Sequence, residues 1–146
     1  MSEKERAVSC FKEGFSCSQA ILSTYGARFG LNRELAFRIS TAFGGGMGRM
    51  GKTCGAITGA FMVIGLKYGK IKIDNDEAKE KTYELVRELV NRFKSINGSI
   101  TCKKLLNFDI STPEGRALAK EKNLFTNFCP KLVNDSAEIL EQILQK

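Results

Sequence analysis

Apolar positions recur every three or four residues along most of this chain, a period that predicts helices rather than strands. Ala7, Val8 and Phe11 place a first helix over Glu3 to Lys12, with Gly14 closing it. Ser16 is suited to cap a second helix from Cys17 to about Phe29, with Ile21 and Tyr25 on one face and Gly30 as its stop. A third covers Arg33 to Phe43, where Leu35, Ile39 and Phe43 are spaced four apart. A long helix begins at Asp74 or Asn75, carries Tyr83, Val86, Leu89, Val90, Phe93 and Ile96 as its apolar stripe, and ends at Asn97-Gly98. Thr101 caps a short helix through Cys102, Leu105 and Leu106. Pro113 opens another to about Lys122, in the first turn where its missing N–H costs nothing. Asn127 is placed to cap a last helix bearing Leu132, Val133, Ala137, Leu140 and Leu144. The one strand-like alternation, Ile71-Lys72-Ile73-Asp74, is too short to build a sheet.

The stretch from Phe43 to Gly69 departs from this amphipathic pattern. Five glycines, Gly44, Gly45, Gly46, Gly48 and Gly51, form a loop whose backbone is free to adopt positive φ. From Cys54 to Leu66 only Thr58 is polar. A helix that is apolar all round is a buried one. Gly55 and Gly59, and Ala56 and Ala60, fall on one side and invite a neighbouring helix to approach closely. Thr53 is expected to cap this helix, with Cys54 its first residue. The predicted fold is therefore all-α. A single domain over residues 1–146 forms a compact multi-helix bundle around a buried Gly/Ala-rich central helix.

Charge changes this picture little. The net charge is +7, but the basic residues are dispersed among acidic ones, as in Glu77-Ala78-Lys79-Glu80-Lys81. No basic–aromatic array points to nucleic acid, and no apolar run reaches the ~18–20 residues of a membrane span. The polar, charged start Met-Ser-Glu-Lys-Glu-Arg does not read as a secretory signal, so the expected compartment is the cytoplasm, where thiols stay reduced. The chain has no histidine, which removes the commonest general base and metal ligand. It has five cysteines, which makes sulfur the place to look for chemistry.

Four of the five fall at predicted helix starts: Cys17 after Ser16, Cys54 after Thr53, Cys102 after Thr101 and Cys129 two residues after Asn127. Only Cys10 is mid-helix. Exposed amides and the positive end of a helix favour thiolate. An exposed helix end supplies only ~0.3–1 kcal/mol, so a nearby cation or partial burial of the amides must add the rest. Lys52 and Arg49 are placed to do so for Cys54, and Lys103 or Lys104 for Cys102. There is no C-x-x-C pair, so any disulfide or four-sulfur site must be assembled by the fold. One competing motif exists. Gly46 to Thr53 satisfies G-x-x-x-x-G-K-[ST], a phosphate-binding pattern that requires a preceding strand. The preceding segment reads as helix, which argues against nucleotide hydrolysis. A helical domain binding a small anion or nucleotide at the loop is kept as an alternative.

Gly14-Phe15-Ser16-Cys17-Ser18-Gln19-Ala20, then Phe43-Gly44-Gly45-Gly46-Met47, then Cys54-Gly55-Ala56-Ile57-Thr58-Gly59, then single Cys102 and Cys129, resemble the C_GCAxxG_C_C family of redox-active proteins. The family's four cysteines correspond to Cys17, Cys54, Cys102 and Cys129. The resemblance implies a small helical protein with thiol redox or metal-linked electron transfer. A related domain accompanies an iron–sulfur site in some cytochromes. The expectation is a redox protein that uses these four cysteines for thiol–disulfide exchange, as a thiol–disulfide oxidoreductase would, or for electron transfer; exchange itself requires no cofactor. Cys54 is the nucleophile, supported by Lys52, Arg49 and Gly55. Cys17 is the resolving partner, and Cys102 and Cys129 are a second pair, all near the Gly44–Gly51 loop. The expected partner is a redox protein or a small-molecule thiol. The alternative is an iron–sulfur cluster or other metal on Cys17, Cys54, Cys102 and Cys129, within one chain or across a homodimer.

Overall fold

A computed structural model describes residues 1–146 and contains helices and turns but no named strand. The main helices are α1 (Glu3–Lys12), α2 (Cys17–Gly26), α3 (Arg33–Ser40), α4 (Gly55–Tyr68), α5 (Asp76–Asn97), α6 (Cys102–Leu106), α7 (Pro113–Glu121) and α8 (Cys129–Leu144). Short 3₁₀ turns extend α2 to Phe29 and α3 to Phe43. Gly30, with φ 81°, ends the first extension. No helix is long and apolar enough to cross a membrane.

The Gly/Ala-rich helix α4 is central, with α2, α5 and α8 packed around it. Its residues Ala56, Ile57, Ala60, Val63 and Ile64 are fully covered. The contact with α2 is the closest. A methyl group added at Gly55 would lie 2.8 Å from the Ser18 amide nitrogen, and one at Gly59 would lie 3.0 Å from the Ser18 carbonyl oxygen. Side-chain carbon cannot fit there, so two glycines are accepted in a helix interior although each costs ~1 kcal/mol of intrinsic helix propensity. Polar ties fix the other faces. Ser136 Oγ on α8 donates to the Ala56 carbonyl at 2.7 Å, and Ser18 Oγ on α2 donates to the Ser40 carbonyl at 2.9 Å.

Buried apolar side chains form two clusters. The larger runs through α1, α2, α4, α5 and α8 and contains Cys10 and Cys54. The smaller holds Cys102, Leu106, Ile110, Ala119 and Cys129. Of the four family cysteines, Cys54 belongs to the larger core and Cys17 packs against it, while Cys102 and Cys129 belong to the smaller.

Several expectations shift. Thr53 does not cap α4; it forms an isolated antiparallel bridge with Thr101, and Cys54 itself is the N-cap, with Gly55 the first helical residue. Asn127 does not cap the last helix: it ends a one-turn helix, Leu124–Asn127, and Phe128 precedes Cys129. Ile71 and Ile73 belong to an exposed turn, not a strand, because no second segment lies alongside to pair with them. On α5 the buried line is Leu85, Leu89 and Phe93, with Tyr83 and Ile96 turned outward. Leu35 and Ile39 on α3 are exposed too, since Ala36 and Ser40 face α2 instead.

Overpacking of a well-filled interior typically costs 1–3 kcal/mol. Gly55→Ala is therefore expected to destabilise the protein by roughly 1–3 kcal/mol, read as a lower urea midpoint with an unchanged slope. Gly65→Ala meets nothing within 4 Å and is the control, expected to gain up to ~1 kcal/mol of helix propensity. Equal midpoints for the two variants would contradict the close α2–α4 approach.

Candidate functional site

Each family cysteine is set in place by a different local device. Cys17 opens α2 behind a capping box. Ser16 Oγ accepts from the Gln19 amide at 3.3 Å, and Gln19 Oε1 accepts from the Ser16 amide at 3.0 Å. The Gln19 amide group then donates to the Phe37 carbonyl at 3.1 Å, which ties this helix start to α3. Cys54 and Cys102 are held by a short backbone clasp. The Cys54 amide donates to the Ile100 carbonyl at 2.8 Å, the Cys102 amide to the Lys52 carbonyl at 2.6 Å and the Lys103 amide to the Gly51 carbonyl at 3.1 Å. Two helix starts far apart in sequence are thereby laid side by side. Cys129 opens α8 with Pro130 in the first turn, where no N–H is needed.

The glycine loop shapes the floor beneath them. Five successive residues have left-handed φ: Gly45 64°, Gly46 68°, Met47 70°, Gly48 62° and Arg49 63°. Glycine takes this conformation freely, but Met47 and Arg49 each carry a cost of roughly 1–2 kcal/mol. The turn closes on itself. The amides of Arg49, Gly51 and Lys52 donate to the carbonyls of Gly44, Gly45 and Gly46, and the Met50 amide donates to Met47. A methyl group at Gly46 would lie 2.7 Å from Cys102 Cβ, so this glycine admits Cys102 to the site.

These pieces enclose one cavity of about 900 Å³, and Cys17, Cys54, Cys102 and Cys129 all line it. Gly44, Gly45, Gly46, Gly48 and Gly55 line it as well. Gly51 does not, and Lys52 is exposed and absent from the wall, whereas Arg49 is present. Cys10 is also absent; it is buried between helices with its sulfur 3.9 Å from Ser23 Oγ. All five cysteines are free thiols.

The four thiols differ in charge preference. Cys54 is held below the ordinary thiol range, first by the Cys17 thiol acting as hydrogen-bond donor and then by the Ala56 and Ile57 amides of its own helix, against an opposing effect of burial. The Cys54 side chain accepts no cap hydrogen bond, and the Ile57 amide also donates to the Cys54 carbonyl at 2.9 Å. Cys17 is pushed up by giving its proton to that contact, with burial adding to it. Burial, followed by the nearness of Cys54, pushes Cys102 up to about 12 and Cys129 up to about 12. The helix starts are shared, but thiolate character is not. Shifts of that size outweigh the ~0.3–1 kcal/mol of an exposed helix end several times over. Neither Lys52 nor Arg49 is among the groups that lower Cys54. A thiol donor and two amides stand where the sequence reading placed a cation. Lys103 lies 3.8 Å from the Asp109 carboxylate, and no cation is among the groups that shift Cys102.

The family described as "Putative redox-active protein (C_GCAxxG_C_C)" matches residues 15–143. The chain belongs to the C_GCAxxG_C_C family. No curated protein and no solved structure matches it. In this C_GCAxxG_C_C protein the family cysteines share a cavity without forming a coordination set. No group of three or more His, Cys, Asp or Glu side chains is placed to hold a metal ion. The iron–sulfur or metal arrangement read from the sequence does not fit the helix starts as they stand. Nor does the phosphate-binding loop: α3 and a 3₁₀ turn precede it where a strand is required, and its amides are spent internally.

Thiols held neutral by the fold make stability depend on pH. Cys102 and Cys129 have raised native values, so their contribution is complete below the unfolded value near 9.0 and is lost as pH rises towards about 12. Above that lower limit each thiol is expected to cost about 1 kcal/mol per pH unit. The double variant Cys102→Ala/Cys129→Ala should show a shallower fall in urea stability with alkaline pH than the parent, whatever its absolute stability. Parallel pH profiles would contradict the assignment.

Proposed function

We propose that this protein carries out thiol–disulfide exchange, with Cys54 as the attacking thiolate and Cys17 as the resolving thiol. The family's description supports a redox role. The finer reading rests on one arrangement: four thiols line a single cavity, Cys17 and Cys54 stand where the starts of α2 and α4 meet, and the Cys17 thiol favours Cys54 as thiolate. In exchange the thiolate, not the thiol, is the nucleophile.

The Cys54 sulfur attacks one sulfur of a disulfide, forms a mixed disulfide and expels the other half as a thiolate. Cys17 then loses its proton to solvent or to the departing thiolate and attacks the Cys54 sulfur. A Cys17–Cys54 disulfide forms, and the second half leaves. The substrate is reduced by two electrons and the protein is oxidised by two. Gly55 supports this pairing by letting α2 press against the start of α4: a methyl group there would lie 3.1 Å from Cys17 Cβ. Cys102 and Cys129 remain protonated, which leaves them unsuited to the first attack. Nothing in the sequence of steps calls for a cofactor.

Mild oxidation followed by peptide mapping tests the pairing. The expected product is a Cys17–Cys54 disulfide that is lost in Cys54→Ser and unchanged in Cys10→Ser. In Cys17→Ser, a small thiol should accumulate as a mixed disulfide on Cys54. Adducts found first on Cys102 or Cys129 would overturn the assignment.

A further inference from the structure

The cavity is larger than two thiols in exchange require. Pockets that bury most of a small organic molecule span ~300–1,000 Å³, and this one is about 900 Å³. Its wall has a definite character. Phe11, Phe15, Leu105, Ile110 and Phe125 supply apolar surface. Lys12, Arg49 and Arg116 supply positive charge, and no Asp or Glu lines the cavity. None of these three cations belongs to an ion pair, whereas Lys4, Arg28, Arg92, Lys103, Lys131 and Lys146 all do.

Two of the cations are positioned by the backbone. One nitrogen of the Arg116 guanidinium donates to the Ile110 carbonyl at 3.1 Å, which anchors the group at the wall and leaves its other donors for a ligand. Arg49 has φ 63°, which an arginine adopts at a cost, and its Cγ would lie 2.9 Å from a methyl group at Gly45. Its side chain is therefore laid over the glycine turn at the cavity rim. Strain of this kind persists where surrounding structure imposes it, and it gathers at binding sites. A guanidinium matches a carboxylate in a two-pronged geometry.

From the unpaired cations and the apolar wall we infer that the cavity takes a low-molecular-weight organic disulfide bearing carboxylates. This inference rests on the exchange reading above and names the substrate class of the same site. Arg49, Arg116 and Lys12 hold the carboxylates, the aromatic and aliphatic wall covers the body, and the disulfide is presented to Cys54. One such disulfide and the two thiols of Cys17 and Cys54 give two molecules of organic thiol and the Cys17–Cys54 disulfide. Sulfur, protons and electrons balance in that single turnover.

The test is single-turnover oxidation of the reduced full-length protein by three disulfides. They are oxidised glutathione as the carboxylate-bearing probe, hydroxyethyl disulfide as the neutral one and cystamine as the cationic one. Oxidised glutathione is expected to react at least about tenfold faster than cystamine, and the advantage should shrink with added salt. Arg116→Gln with Arg49→Gln should slow oxidised glutathione about tenfold, as the loss of charge-assisted contacts implies, and lower the ratio of its rate to that of hydroxyethyl disulfide several-fold. Arg87→Gln with Lys94→Gln, at exposed positions of α5 outside the cavity, removes the same two charges elsewhere. If it slows oxidised glutathione as much as the cavity variant does, the preference comes from net charge and the inference fails. If all three probes react at one rate in the parent, the inference fails while exchange stands. If none reacts and Cys54 is no more reactive than Cys10, both fail together. The salt and probe comparisons on the parent protein keep the test decisive should the double variant not fold.

Discussion

Backbone pressed against backbone is the contact on which the site depends. Gly55 and Gly59 let α4 meet α2 at Ser18 with no side chain between them. Cys17 immediately precedes Ser18, and Cys54 immediately precedes Gly55. The packing contact and the chemical pair are therefore one residue apart on both helices. A wider helix separation, of the kind ordinary side chains impose, would part the two sulfurs. The glycines weaken α4 as an isolated helix, and burial on all sides keeps it formed.

That geometry also decides the electrostatics. Four thiols at helix starts would look alike if the dipole were the dominant effect. Burial is larger, and it holds Cys102 and Cys129 protonated. Cys54 escapes because it gains two kinds of donor at once, the Cys17 thiol and the Ala56 and Ile57 amides. A thiolate supported by a thiol has its resolving group already at hand. Placing the cations at the cavity wall instead of on Cys54 leaves them available to whatever enters.

Much of this was legible in the residues. Helical periodicity gave the element order, and the uninterrupted apolar run from Cys54 to Leu66 marked the central helix. Gly55 and Gly59 announced the close approach by their spacing alone. The recurrence of cysteine at helix starts pointed to the four that share the cavity and set Cys10 apart. What local sequence does not encode is pairing between distant segments. The clasp between Lys52–Cys54 and Ile100–Cys102 moved Thr53 out of its expected capping role and made Cys54 the cap. The support for Cys54 departs from the sequence expectation for the same reason. Lys52 is two residues away in sequence but exposed and outside the cavity, whereas Cys17 is distant in sequence and close in space. Arg116 had no sequence signal, since only the fold brings α7 to the cavity wall.

The most direct measurement is a thiolate titration, following the ultraviolet absorbance of ionised sulfur with pH in the parent protein, in Cys54→Ser and in Cys17→Ala. One thiolate should form below the ordinary thiol range near ~8.5, vanish in Cys54→Ser and move to higher pH in Cys17→Ala. A parent protein in which every cysteine ionises at or above that range, or a low-pH thiolate indifferent to Cys17, would contradict the account.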